Sequence, residues 1–351
     1  MAHIGLVCIG EGTAVLKGER MTGAEALRRL DLAPLVLEGK EGLSLVNGTA
    51  CVSGMGSIAL SRLSNLMEWV TAISAMTFEN LGGQQAVFDP RSLALRKSGG
   101  LQEVGKGMNR WLASSDMLRK AQGARTQDGL SLRTIPQLHG AGQEIVDELA
   151  TVVNEELASV TDNPALGGTP DASEVFSQAH PLAIRMALKS DSCAMGVVTI
   201  ASMSESRVCR LLDPEETNLP AFLAADPGAD SGLMIAQYTA RGLVAESRRL
   251  AMPASLDGGS TSGRQEDFLA HATPAVMKLL HIIDNAEYAL AIELVATTQA
   301  YGLRQDGTAR GPKTDELLSK VRARLPLYRD DRPLSDTIEA AVDLLRNTSP
   351  R

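Results

Sequence analysis

Aromatic residues are nearly missing from this 351-residue chain, in which Phe, Tyr and Trp together make up 3%. Clusters of β-branched residues are sparse too, so a sheet-built core has little to draw on, and the dominance of Ala and Leu favours helices throughout. Cysteine is as thin. Cys8, Cys51, Cys193 and Cys209 stand far apart without a CxxC pair, which offers neither a disulfide framework nor a zinc ligand set and fits reduced, mostly buried thiols. No run reaches the roughly 18 consecutive apolar residues of a membrane-spanning helix. Residues 1–9 lack the cationic start and small-residue cleavage site of a signal peptide. The formal charge of −8 is spread out, and no Lys/Arg stripe with interleaved aromatics suggests nucleic acid as a partner. Internal repeats, heptad runs and low-complexity tracts are also lacking. These absences describe a cytoplasmic protein with no membrane, metal or nucleic-acid partner.

What the sequence does contain is helical periodicity. Over residues 57–81, Leu60, Leu63, Leu66, Val70 and Ile73 recur at three- and four-residue spacing until Gly82-Gly83. Residues 140–157 repeat the pattern with acids on the outer face, closed by Asp162-Asn163-Pro164. Between 182 and 212 apolar residues nearly encircle the helix, as suits a rod in the middle of a bundle. Residues 231–250 and 266–299 predict two more. The expected fold is all-α, an elongated bundle of long, near-parallel helices. Residues 1–312 form its core, and 313–351 carry two smaller peripheral helices, at 314–324 and 335–346.

Stretches rich in Gly, Pro and Asp separate the rods, at 82–107, 122–140, 167–173, 213–232 and 253–263. Several are longer than a bundle needs for connection, and long ordered loops tend to carry function. Four polar clusters stand out: Asn47-Gly48-Thr49; residues 127–133; Thr161-Asp162-Asn163-Pro164; and residues 260–267. Each has a structural explanation. Asn47-Gly48 is a common tight-turn pair, Asp162 and Asn163 suit a cap and turn, and Ser262 could cap a following helix. Two residues fit less well. Arg133 lies between Leu132 and Ile135-Pro136, where a guanidinium wants a carboxylate, either an internal partner or a bound acid. Glu266 is expected to open an apolar helix, where the N-terminal dipole favours a carboxylate.

Taken together, these clusters resemble the histidine and phenylalanine ammonia-lyases over nearly the whole chain. The resemblance rests on H-I-G-L-V-C-I-G-E-G (3–12), K-E-G-L-S-L-V-N-G-T (40–49), Q-D-G-L-S-L-R-T-I-P-Q (127–137), S-V-T-D-N-P (159–164), S-G-L-M-I-A-Q (231–237) and P-A-S-L-D-G-G-S-T-S-G-R-Q-E-D (253–267), in the family's order and at about its spacing. It implies an all-helical homotetramer whose active sites draw on three subunits. It also implies roles. Asn47 would face the cofactor and the substrate amine, Gln127 would contact cofactor and substrate, Arg133 would clamp the substrate carboxylate, and Glu266 would be the acid typical of the histidine branch.

The family's cofactor is 4-methylidene-imidazol-5-one (MIO), an electrophile made by cyclisation and dehydration of an internal Ala-Ser-Gly, which works with a Tyr that removes the β-proton. No Ala-Ser-Gly occurs among these 351 residues. The resemblance places that tripeptide, the Tyr and an imidazole-contacting His before residue 1. Three internal departures accompany this, the mildest being Asp230 where an Asn is usual before Ser231-Gly232. Phe176-Ser177-Gln178-Ala179-His180-Pro181 replaces a Gly-Asn-Phe-His-Gly stretch, with His180 as the substrate-contact candidate, and Leu130 stands where a Tyr is usual. The expectation is therefore the substrate-binding part of an aromatic amino acid ammonia-lyase, inactive alone. It would work in a homo- or hetero-oligomer, with a companion chain or upstream segment bringing MIO. An aminomutase and a non-catalytic scaffold are the alternatives.

Overall fold

The computed structural model describes residues 1–256 and 258–350. The protein is built on six rods: α1 (Ala50–Asn80), α2 (Gly99–Trp111), α3 (Ile135–Leu157), α4 (Ile184–Leu211), α5 (Met234–Leu250) and α6 (Ala272–Leu303). Two shorter helices, α7 (Pro312–Arg322) and α8 (Ser335–Asn347), follow. The longest rods, α1 with 31 residues and α6 with 32, extend about 47 and 48 Å at 1.5 Å per residue. The all-α bundle read from the sequence is the observed fold. Among the described residues strand is confined to two small antiparallel hairpins, β1–β2 (Thr13–Leu16 with Glu19–Thr22) and β3–β4 (Ala165–Thr169 with Ala172–Phe176).

At the centre lies α6, which packs against α4, α1, α5 and α8. Its run from Ala289 through Leu290 and Leu294 to Ala300 is buried at every position, because a helix apolar on every side can only be satisfied by neighbours all round. The second half of α1, from Leu63 to Asn80, lies in the same core. By length and composition Glu41–Asn80 is apolar enough to cross a membrane, but packing inside a bundle makes the same demand.

Inside this apolar core sit charges. Arg207 of α4 donates from Nε and Nη2 to the Glu293 carboxylate of α6 at 2.6 and 2.8 Å, and both side chains are fully buried. Thr77 of α1 donates to the same carboxylate at 2.7 Å, so one acid ties three rods together. Nearby, Glu79 accepts from Tyr301 Oη, the Gly311 amide and Thr314 Oγ1 at 2.5, 2.7 and 2.8 Å, which fixes α7 against α1 and α6. Burial and this carboxylate together push the Tyr301 phenol well above its ordinary range. His139 is buried beside Arg207 and is held neutral by burial and by that cation.

Several elements differ from the sequence expectation, among them the two hairpins and the start of α3 at Ile135 rather than 140. The rod expected at 57–81 begins seven residues earlier, at Ala50. The stretch 82–107, read as loop, contains most of α2, whose Leu101, Val104, Met108 and Trp111 keep helical spacing although four glycines lower its propensity. The rod expected from 266 starts only at Ala272, capped by His271 in a left-handed conformation. Residues 262–264 form one tight turn with Ser262 at φ 50° and Arg264 at φ 73°, so the chain cannot run helically through them.

Replacing Glu293 with Leu strands a buried guanidinium and should cost about 3–5 kcal/mol of unfolding free energy. Urea denaturation would measure it, and a loss below ~1 kcal/mol would contradict the role given to this pair. The thiols supply a second check. Burial pushes Cys193 up to about 12, so it should resist iodoacetamide at pH 8 until the protein is denatured. Fast alkylation of native Cys193, read by peptide mass mapping, would contradict this packing.

Candidate functional site

The Asn47-Gly48 pair is no hairpin. Asn47 closes the short helix Glu41–Val46, and Gly48, at φ +85°, carries the chain into α1. A Cβ on Gly48 would also lie only 3.1 Å from the Thr161 carbonyl, so glycine serves both the backbone conformation and a close crossing. That crossing joins two of the polar clusters. Asn47 Nδ2 donates to Asp162 Oδ1 at 2.9 Å and to the Asn163 carbonyl at 3.3 Å. The Thr49 amide donates to Thr161 Oγ1 at 3.2 Å, and Thr49 Oγ1 donates to Glu156 at 2.9 Å.

Asp162 is the hub of this corner. Its second oxygen takes the Lys40 ammonium and the Ser44 hydroxyl, the latter at 2.8 Å, and its first also accepts the Asn163 amide. The Lys40 ammonium, followed by the Ser44 hydroxyl, holds the carboxyl far below the usual carboxylate range, so it stays ionised at any working pH. A carboxylate and a carbonyl can only accept, which means the Asn47 NH2 must face them. The Asn47 side-chain oxygen is left without a hydrogen bond among the described residues. Gln178 extends the cluster, its amide donating to Asn163 Oδ1 and its Nε2 to the Asp162 carbonyl, both at 2.8 Å. The same Gln178 side chain accepts the His180 amide, so the exposed His180 is tethered to the Asn47 corner through two residues.

Gln127 and Arg133 lie elsewhere. Their segment precedes α3, whereas Thr161 to Asn163 follow it, and 23 helical residues put the two ends about 34 Å apart. The 127–133 segment has its own support. Asp128 is buried and accepts the Gln84 amide at 2.6 Å, with Arg125 at 3.2 Å. Arg210 donates to Ser131 and pairs with Glu216, which also takes Arg125 at 3.1 Å. Gly129 lies so near the Arg210 guanidinium that a Cβ would come within 2.1 Å of Nη2.

Against that scaffold, Gln127 is exposed and Arg133 has no carboxylate partner among the described residues. The Nε of Arg133 is buried without a hydrogen bond. Of the two readings of Arg133 left open by the sequence, the internal ion pair is not made among the described residues. Leu130, one helical turn before Arg133, is 62% exposed.

Glu266 does not open a helix. It is exposed and pairs through its backbone with Thr261, at 2.7 Å in one direction, so no helix N-terminus acts on it, and Ser262 caps nothing. The start of its loop is fixed by the buried Asp191 of α4, which accepts the Ala254 and Ser255 amides at 3.2 and 2.9 Å and pairs with Lys278 at 2.6 Å. Asp191 lies seven residues into α4, in the half beside the C-terminal end of α3, where Arg185 pairs with Glu155 and Lys189 with Glu148. The five candidates thus divide between two ends of one bundle: Asn47, His180 and the Glu266 loop toward one, Gln127 and Arg133 at the other. Lys40, Ser44 and Gln178 are the contributors that sequence reasoning missed. The first two were visible as an i, i+4, i+7 face with Asn47.

Comparison with known proteins places this geometry. The aromatic amino acid lyase family model matches residues 1–323. The histidine ammonia-lyase of Symbiobacterium thermophilum is 40% identical over 348 residues, covering 99% of this chain and 68% of that protein. That of Natranaerobius thermophilus is 37% identical, covering 98% and 68%. Among solved structures, histidine ammonia-lyase from Trypanosoma cruzi superposes with a TM-score of 0.90 at 30% identity, over 98% of this chain and 65% of the other. Pantoea agglomerans phenylalanine aminomutase does so with a TM-score of 0.91 at 27% identity, over 99% and 71%. The chain spans about two thirds of the length of these relatives. A match running through nearly every rod, loop and polar cluster leaves one conclusion: the chain belongs to the aromatic amino acid lyase family.

Proposed function

We propose that this chain supplies the amino-acid-binding part of an ammonia-lyase that converts histidine or a similar aromatic amino acid to an α,β-unsaturated acid. The observation that carries the reading is the pairing of an uncommitted Arg133 guanidinium at one end of α3 with an uncommitted Asn47 oxygen at the other. One chain cannot bring them to one substrate across about 34 Å. Several copies packed side by side can, in a tetramer-like homo- or hetero-oligomer. Exposed apolar residues on the rods, among them Ile58 of α1 and Leu188 and Met195 of α4, offer surface for such packing.

In that assembly Arg133 would take the substrate carboxylate through two parallel N–H donors, which fixes its plane as well as its place. The Asn47 oxygen would accept from the substrate ammonium. Gln127 would line the Arg133 side, and Glu266 and His180 would approach the substrate side chain from the other. MIO, when bound, would supply the electrophile that turns the amine into a leaving group. The residues present can face this group, Asn47 and Gln127 first, but cannot make it, since Ala-Ser-Gly does not occur among them. No step is derived through it; the electrophile and the base Tyr would come from a partner chain or a segment outside these residues. Reduced thiols fit a cytoplasmic setting.

A second reading, an aminomutase or a non-catalytic assembly partner, draws on Leu130. This exposed aliphatic side chain stands where the family's Tyr is usual and brings no hydroxyl to the Arg133 face. Urocanate absorbance separates the readings. The 351-residue chain alone should give no turnover of histidine, and co-expression with a polypeptide carrying the Ala-Ser-Gly segment should restore it. In the restored enzyme, Arg133→Met should raise KM roughly 10–100-fold, the worth of hydrogen bonds to a charged group. Turnover by the chain alone would overturn the electrophile assignment, and silence in every combination would favour the assembly partner.

A further inference from the structure

Asn47 can serve as an acceptor only if its amide is prevented from turning over, because a free carboxamide presents NH2 and oxygen about equally well. The structure contains the device that prevents it. Both contacts of Nδ2 are obligate acceptors, Asp162 Oδ1 at 2.9 Å and the Asn163 carbonyl at 3.3 Å. Asp162 is itself immobilised by Lys40, by Ser44 at 2.8 Å and by the Asn163 amide at 2.8 Å. Ser44 lies in the short helix Glu41–Val46, with Lys40 at its N-terminal and Asn47 at its C-terminal boundary, while Asp162 arrives from more than a hundred residues along the chain. The carboxylate therefore clamps that helix to the end of α3 and sets the direction of the one side-chain group it leaves exposed to a ligand.

We infer that Asp162 is a positioning residue for the proposed reaction: it locks the Asn47 carboxamide with its oxygen toward the substrate ammonium, and Lys40 and Ser44 hold Asp162 in place. This rests on the reading of Asn47 given above and adds what makes that residue an acceptor. An Asn at position 162 would keep the shape but could offer NH2 to Asn47, so the carboxamide could sit either way. Substrate nitrogen would then meet a donor part of the time.

The test uses the full chain, deuterated and labelled with 15N-asparagine. The Asn47 side-chain NH2 signal is identified by its loss in Asn47→Ala. In the wild-type protein its two protons should be well separated and slow to exchange. In Asp162→Asn they should move toward solvent-exposed positions and exchange at least tenfold faster, and Ser44→Ala should show a smaller effect if the Asp162 variant proves unstable. Unchanged exchange in both variants would overturn the inference.

In the co-expressed, active assembly, Asn47→Ala and Asp162→Asn should each lower kcat/KM, and the double variant should be no worse than Asn47→Ala alone, since Asp162 acts through Asn47. Additive losses would assign Asp162 a merely structural role and overturn the inference. Undiminished turnover by Asn47→Ala would instead sink the reading of Asn47, a separate result.

Discussion

The length of α3 governs the functional anatomy of this chain. Its 23 residues hold the segment carrying Arg133 about 34 Å from the one carrying Asp162, and no bending of a packed helix closes such a gap. In the proposed assembly each chain would present two half-sites, a cation end and an amide end. The amide end is complete in itself: Asp162, Lys40, Ser44, Asn163 and Gln178 satisfy one another and leave one carbonyl oxygen over. At the cation end, by contrast, Asp128, Arg125, Arg210 and Glu216 neutralise one another and leave Arg133 over. Both ends thus spend most of their polar groups on rigidity and, among the described residues, leave Arg133 Nε and the Asn47 oxygen without a hydrogen bond.

Rigidity of this kind needs rods that do not slide. The Glu293 carboxylate supplies the pin by joining α6 to α4 through Arg207 and to α1 through Thr77. A buried ion pair adds little net stability against an apolar replacement of the same shape, but it tolerates one register only. Register is what a site assembled from distant helix ends requires, because a slip of one turn would displace a half-site by about 5.4 Å.

Much of this could be read in the sequence where apolar spacing is regular, as in α4 and α8, whose ends fall within two residues of the expected ones. The misses have physical causes. Four glycines in α2 lowered its local preference below what packing then recovers. The Ser-Thr-Ser-Gly tract before Glu266 carries the polar pattern of a helix start, yet left-handed conformations at Ser262 and Arg264 turn it into a tight loop. The apolar content of 167–173 gave no strand signal, but the turn between β3 and β4 makes a hairpin of it. Asn47, Arg133 and the 127–133 cluster were singled out through the family resemblance, and their roles belong to the proposal. The partner of Asn47 was not, because a contact between residues 47 and 162 leaves no trace in local spacing.

The most direct measurement is a cross-link between copies. Chains carrying Asn47→Cys and chains carrying Arg133→Cys, both in a Cys51→Ser background, are mixed, reassembled and treated with a short bismaleimide. A covalent dimer should form only when both kinds of chain are present. Its absence from an intact oligomer, or a cross-link closing within a single chain, would contradict a site built from opposite ends of neighbouring molecules.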